Sequence, residues 1–125
     1  MRAIRGATTI ETNMAEEIYT ATKELFEEIL HQNKLTDSEQ LTSVIITVTE
    51  DIFAAFPAKA VRETPGFEYV PVMGMQEIPV PNSLRMCIRF MVFTTIHKPL
   101  TEINHVYLRG AKVLRPDLVN EEDAL

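Results

Sequence analysis

The sequence predicts one α+β domain: a mixed sheet of about five strands with a single long helix. Three observations carry that expectation. Residues 14–31 show helical spacing of apolar side chains, two runs (41–49 and 87–95) show the β-branched and alternating patterns of strands, and shorter strand-like pieces lie between turn residues. The chain has 125 residues, 46% hydrophobic and 24% charged, the composition of one ordinary globular domain. A sheet with one helix can cover only one of its faces, so the other face needs an apolar partner, and a copy of itself is the simplest.

In chain order, residues 2–10 (RAIRGATTI) read as a short strand to Gly6 with a Thr-rich exit, Ala3 and Arg5 pointing opposite to Arg2 and Ile4. The helix over 14–31 has Asn13 placed to cap it and Glu16 to complete a capping box. Met14, Ile18, Ala21, Leu25, Ile29 and Leu30 form its apolar stripe, while Glu17, Glu24, Glu27 and Glu28 face water. Residues 36–39 make a turn, and LTSVIITVT over 41–49 a buried strand. Pro57 opens a short helix, PAKAVRE, that ends at Thr64-Pro65-Gly66 and carries Lys59 and Arg62 on one face. Residues 69–72 read as a strand, and Pro79, Pro81 and Asn82 mark a loop. CIRFMVFTT over 87–95 is a strong strand with Arg89, Met91, Phe93 and Thr95 on one face and Ile88, Phe90 and Val92 on the other. Residues 104–108 and 112–114 supply the last strands. The domain is expected to end at 118, leaving 119–125 as a flexible acidic tail.

Eighteen acidic and twelve basic side chains give a net charge of -6, which argues against nucleic acid as the partner. No apolar run reaches the ~18 residues of a membrane span, and the N-terminus lacks the core of a secretory signal, so a cytoplasmic protein without a membrane partner is expected. A lone cysteine, Cys87, and the absence of zinc-type spacing predict neither disulfide nor metal. The acids are unevenly placed. Residues 52–116 hold eight bases against four acids, a local cationic excess suited to a small anion as well as to ordinary surface solvation.

No GxSxG, P-loop, GxGxxG or HExxH is present, so covalent, nucleotide and zinc chemistry lack their signatures. His31, His97 and His105 read as a helix cap, a loop residue and a strand residue, and Cys87 as a small buried hydrophobe. What remains is a set of cations in or beside strands, Arg5, Arg62, Arg89 and Arg115, joined by Glu77 and Tyr107. An arginine inside CIRFMVF is partly desolvated and needs a carboxylate or a ligand. Glu77 could satisfy Arg89 and merely fix the sheet, and Asp117 could do the same for Arg115.

The segments IRGATT (4–9), FPAKAVRE (56–63), YVPV (69–72), QE (76–77), CIR (87–89), HVYL (105–108) and VLRPDL (113–118), in this order and spacing, resemble the monofunctional AroH-class chorismate mutases over nearly the whole chain. The resemblance implies a homotrimer in which three subunits form a pseudo-barrel, with active sites in clefts between them. It implies the Claisen rearrangement of chorismate to prephenate, on the route to phenylalanine and tyrosine, with no cofactor and no metal. By the same resemblance Arg89 donates to the ether oxygen and a carboxylate, Arg5 and Tyr107 bind the enolpyruvyl carboxylate, and Glu77 accepts from the ring hydroxyl and orients Arg89. Phe56, Ala58 and Leu114 match apolar walls, with Val72, Met73 and Gly74 beside the substrate. Lys59, Arg62 and Arg115 match a cationic rim, and the tail after Leu118 would fold over the site. Where the family often has a small polar or thiol residue shortly before the glutamate, this chain has Met73 and Gly74, so Glu77 or a backbone amide must hold the ring hydroxyl. Two other readings fit less of the sequence: a trimeric imine deaminase of the YjgF type, and an anion-binding regulatory trimer without activity.

Overall fold

Strand β4 (Cys87–Thr94) lies at the centre of a five-stranded sheet because both of its edges find a full-length partner. On one side is β1 (Arg2–Thr9), on the other β2 (Leu41–Val48), both antiparallel to it. The edges are β5 (Val106–Tyr107), parallel to β1, and β3 (Val72–Gln76), parallel to β2. The order is β3-β2-β4-β1-β5, a mixed sheet as predicted. Helix α1 (Ala15–Gln32) packs on one face, with the short α2 (Ala58–Arg62) beside it. These elements come from a computed structural model that describes residues 1–114. Arg115 and the tail therefore lie outside the described residues.

Alternation in β4 decides which face is covered. Ile88, Phe90 and Val92 are buried toward α1, whereas Arg89, Met91 and Phe93 on the other face are only half-buried. Ile4 on β1 and Val44 and Ile46 on β2 join the covered side, meeting Ile18, Leu25, Phe26 and Ile29 of α1. Phe26 stands edge-on to Phe67 with ring centroids 5.6 Å apart and lies 6.1 Å from Phe90. The helix approaches so closely at Gly6 that a Cβ there would come within 2.6 Å of Ile29 Cδ1.

Several boundaries differ from expectation. Strand β1 does not stop at Gly6 but runs to Thr9, because residues 6–9 pair with Phe90 to Cys87. The edge strand is not 69–72 but Val72–Gln76; residues 68–70 form turns, and VMGMQ becomes a strand by pairing with β2 rather than by propensity. The expected strand at 112–114 belongs to a 3₁₀ helix, Arg109–Leu114. Met14 is not part of the buried stripe: it is 59% exposed and forms the helix N-cap without a side-chain bond. Asn13 does not cap α1, and Glu17 instead gathers the 11–12 turn, accepting from the Glu11 and Thr12 amides and the Thr12 hydroxyl.

The loop entering β4 is fixed by Asp51. Both of its carboxylate oxygens accept from the Met86 amide at 3.1 Å, the Thr49 hydroxyl donates to it, and Arg85 pairs with it at 3.5 Å. Met86 has a left-handed φ of 51° and is clamped from its other side by the Ile10 amide, which donates to its carbonyl at 2.9 Å. Partial burial raises the Asp51 carboxyl, but the Thr49 hydroxyl, the Met86 amide and Arg85 outweigh that and hold it below its ordinary value. A carboxyl lowered on folding stabilises above its unfolded pKa and loses that contribution as pH falls through the folded value, so the window lies below the ordinary aspartate range. Urea unfolding at a series of pH values is expected to show a shallower acid loss of stability in Asp51→Asn than in the unmutated protein.

Candidate active site

The face that α1 leaves open carries the polar residues. Arg5 and Ala7 project from β1, Ile45 and Thr47 from β2, Arg89 and Met91 from β4 and Tyr107 from β5. With Glu77 and Leu114 they line one cavity of about 160 Å³. Arg89 lies between Ala7 on β1 and Thr47 on β2, two short side chains that leave space above the sheet. Glu77 follows β3, its amide donating to the Val48 carbonyl at 2.8 Å, which extends the β2 pairing by one residue. The Thr47 hydroxyl donates to Glu77 Oε2 at 2.6 Å, and Arg89 Nε lies 3.5 Å from the same oxygen.

The Arg89–Glu77 pair is thus real but incomplete. Arg89 Nε is near enough for Coulomb attraction yet makes no hydrogen bond among the described residues, and neither does the Tyr107 hydroxyl, although both atoms are buried. A buried polar group left unpartnered costs about 1–3 kcal/mol, so two in one cleft mark a place shaped for something else to complete. A third unpartnered atom, Thr8 Oγ1, belongs to the residue after Ala7 and so to the opposite face. Cys87 is buried beside Tyr107, Ala7 and Ala111. Burial pushes its thiol up against the opposing pull of Arg89, which suits the small hydrophobe expected and not a nucleophile. His105 is engaged by the backbone: its Nδ1 accepts from the Arg5 amide at 2.9 Å.

Five of the predicted residues, Arg5, Glu77, Arg89, Tyr107 and Leu114, therefore converge. The others do not join them within one chain. Phe56, Ala58 and Gly74 line a separate groove of about 690 Å³ that also includes Tyr19, Val48 and Met75. Lys59 and Arg62 are exposed on α2; Lys59 pairs with Glu63 at 3.8 Å and stands 5.0 Å above the Tyr19 ring. Val72 packs on the core edge, and Met73 is 63% exposed. A wider opening of about 430 Å³, lined by Thr49–Asp51 and the 77–85 loop, shares Glu77 but lacks Arg89 and Tyr107. Thr47, Ile45 and Ala7 were not singled out by the sequence, although the alternation of LTSVIITVT puts Ile45 and Thr47 on the face opposite to Val44 and Ile46.

Two arginines, a glutamate and a tyrosine gather on the uncovered face of a mixed sheet, a donor set whose chemistry suits small carboxylate anions. The comparisons give that class its family. The model of type I chorismate mutases matches residues 1–118, and the chain belongs to this family. It is 48% identical over 118 residues to chorismate mutase AroH of Bacillus subtilis (strain 168), covering 94% of this chain and 92% of that one. It is 45% identical to chorismate mutase AroH of Thermus thermophilus, with 94% and 96% covered. Among solved structures, a chorismate mutase from Clostridium thermocellum superposes with a TM-score of 0.86 at 46% identity, over 90% of this chain and 99% of that one. The fold is thus the AroH-type α+β arrangement.

Proposed function

We propose that the protein converts chorismate to prephenate, and that the unpartnered Arg89 Nε and Tyr107 hydroxyl in one cleft with Arg5 are the observation that carries this reading. The rearrangement is unimolecular and pericyclic, so it needs no nucleophile, metal or proton transfer. It needs a floppy dicarboxylate held in a compact chair, which fixed arginine and tyrosine donors supply. In the transition state the C–O bond breaks ahead of C–C bond formation and leaves negative charge on the ether oxygen. A cation fixed there stabilises that state more than the substrate.

In this reading Arg89 meets the ether oxygen and a carboxylate, Arg5 and Tyr107 hold the enolpyruvyl carboxylate, and Glu77, steadied by Thr47, accepts from the ring hydroxyl. Gly74 offers no side chain for that hydroxyl. The cavity of about 160 Å³ is below the several hundred Å³ usual for a ligand pocket. Phe56, Ala58 and Gly74 sit in a different groove, so the two groups can serve one substrate only across a boundary between copies of the chain. The half-buried Met91 and Phe93 and the exposed Met73 and Met75 on the uncovered side favour such an assembly, a homotrimer with shared sites. Among the described residues no helix is long and apolar enough to cross a bilayer.

The ultraviolet absorbance of chorismate tests the proposal: purified protein should deplete it far faster than buffer, and decay at the uncatalysed rate would overturn the assignment. The rim makes its own prediction. Arg62 is exposed and forms no ion pair among the described residues, so Arg62→Ala should raise KM and weaken the salt dependence of kcat/KM while sparing kcat.

A further inference from the structure

Asn13 has the sequence position of a helix cap, yet its side chain serves another part of the fold. Its Oδ1 accepts from the Phe53 amide and the Ala54 amide, each at 2.9 Å, across about forty residues of chain. Both partners are N–H donors, so the atom between them must be the carbonyl oxygen of the amide. Helix α1 meanwhile has Met14 as its N-cap, with no side-chain bond to its first turn. A local interaction that commonly stabilises a helix start has been exchanged for a tertiary one.

The far end of the segment that receives it is tied into the next helix, where the Phe56 and Pro57 carbonyls accept from the Lys59 and Ala60 amides, but at Phe53 and Ala54 the bonds to Asn13 are what fix the backbone among the described residues. Residues 52–57 form no helix or strand. Ile52 is buried as an anchor at one end and its amide donates to the Thr49 carbonyl, while α2 begins at Ala58. Between these two points Asn13 is the side chain that bonds the backbone in the described residues, and Phe53 and Phe56 stand 79% and 82% exposed on it. We infer that Asn13 is a positioning residue for the substrate: by bonding two successive amides it sets the path of the 53–57 turn and so places the Phe56 and Ala58 wall. This rests on the proposed function, in which that wall closes the cleft of a neighbouring copy. The wall makes apolar contact with substrate and transition state alike, so loosening it weakens binding without removing charge stabilisation.

The test compares Asn13→Ala and Asn13→Asp with the unmutated protein, reading chorismate kinetics together with amide hydrogen exchange at Phe53 and Ala54. In Asn13→Ala, exchange at both amides should accelerate and KM rise about fivefold, the effect of losing one or two neutral hydrogen bonds, with kcat nearly unchanged. Aspartate keeps an acceptor for both amides, so Asn13→Asp should restore slow exchange and low KM. A purely structural role would lower the melting temperature of Asn13→Ala and leave KM alone. Accelerated exchange with unchanged KM, unaltered exchange in Asn13→Ala, or failure of Asn13→Asp to restore KM would each overturn the inference. An unmutated protein that does not turn over chorismate would overturn the parent reading, a result distinguishable because exchange still reports the clamp.

Discussion

Arg89→Ala is expected to reduce kcat by at least a hundredfold, on the order of 3 kcal/mol in the barrier, the scale of removing one oxyanion donor. In the proposed reading the guanidinium stands where charge develops; β1 and β2 flank it through Ala7 and Thr47, and Glu77 draws Nε to 3.5 Å without a hydrogen bond among the described residues. Stability should change little, because Thr47 still donates to Glu77 at 2.6 Å after the arginine is gone. The two effects separate in one set of measurements, kcat from chorismate absorbance and melting temperature by circular dichroism. Arg89→Lys should also be poor, since lysine keeps the charge but presents it as a point and not as a planar fork. Wild-type kcat in that variant would contradict the role assigned to the guanidinium.

Phe26→Ala is expected to cost about 3–5 kcal/mol of stability, the range for removing a fully buried aromatic side chain. Phe26 is wholly shielded from solvent and links three elements, touching Phe67 near α2 and Phe90 on β4 from its place on α1. Its ring neighbours Phe67 and Phe90 are apolar, so the cavity term adds to the lost transfer energy. Phe90 is the neighbour of Arg89 in sequence, yet its side chain points to the opposite face. The folded fraction of Phe26→Ala should therefore retain near-normal kcat while the urea midpoint falls sharply, and a midpoint close to that of the unmutated protein would contradict the packing described.

Some of this was legible in the sequence because it rests on alternation alone. The pattern of CIRFMVFT fixes which side of β4 is buried, and it puts Arg89 on the uncovered face before any partner is known. Arg5 follows in the same way from RAIRG. Elements that depend on a partner were not legible. VMGMQ has weak strand propensity and becomes β3 only because Val44 to Val48 present a free edge. Asn13 looked like a cap because capping is local, and the Phe53 and Ala54 amides that claim it are remote. Phe26 falls outside the series Ile18, Ala21, Leu25 and Ile29 because the buried face of the helix is wider than one such series; Leu25 and Phe26 are both buried. The separation of Phe56 and Ala58 from the Arg89 cleft could not be read from spacing, because it depends on where α2 sits relative to the sheet.

Calorimetric binding of a bicyclic ether dicarboxylate, a stable mimic of the closed chair, to the unmutated protein and to Arg89→Ala tests the central claim most directly. Differential stabilisation by the Arg89 guanidinium predicts that the mimic loses about a hundredfold or more in affinity while chorismate, captured before turnover in the slow variant, loses far less. Equal losses for both ligands, or none for the mimic, would contradict it.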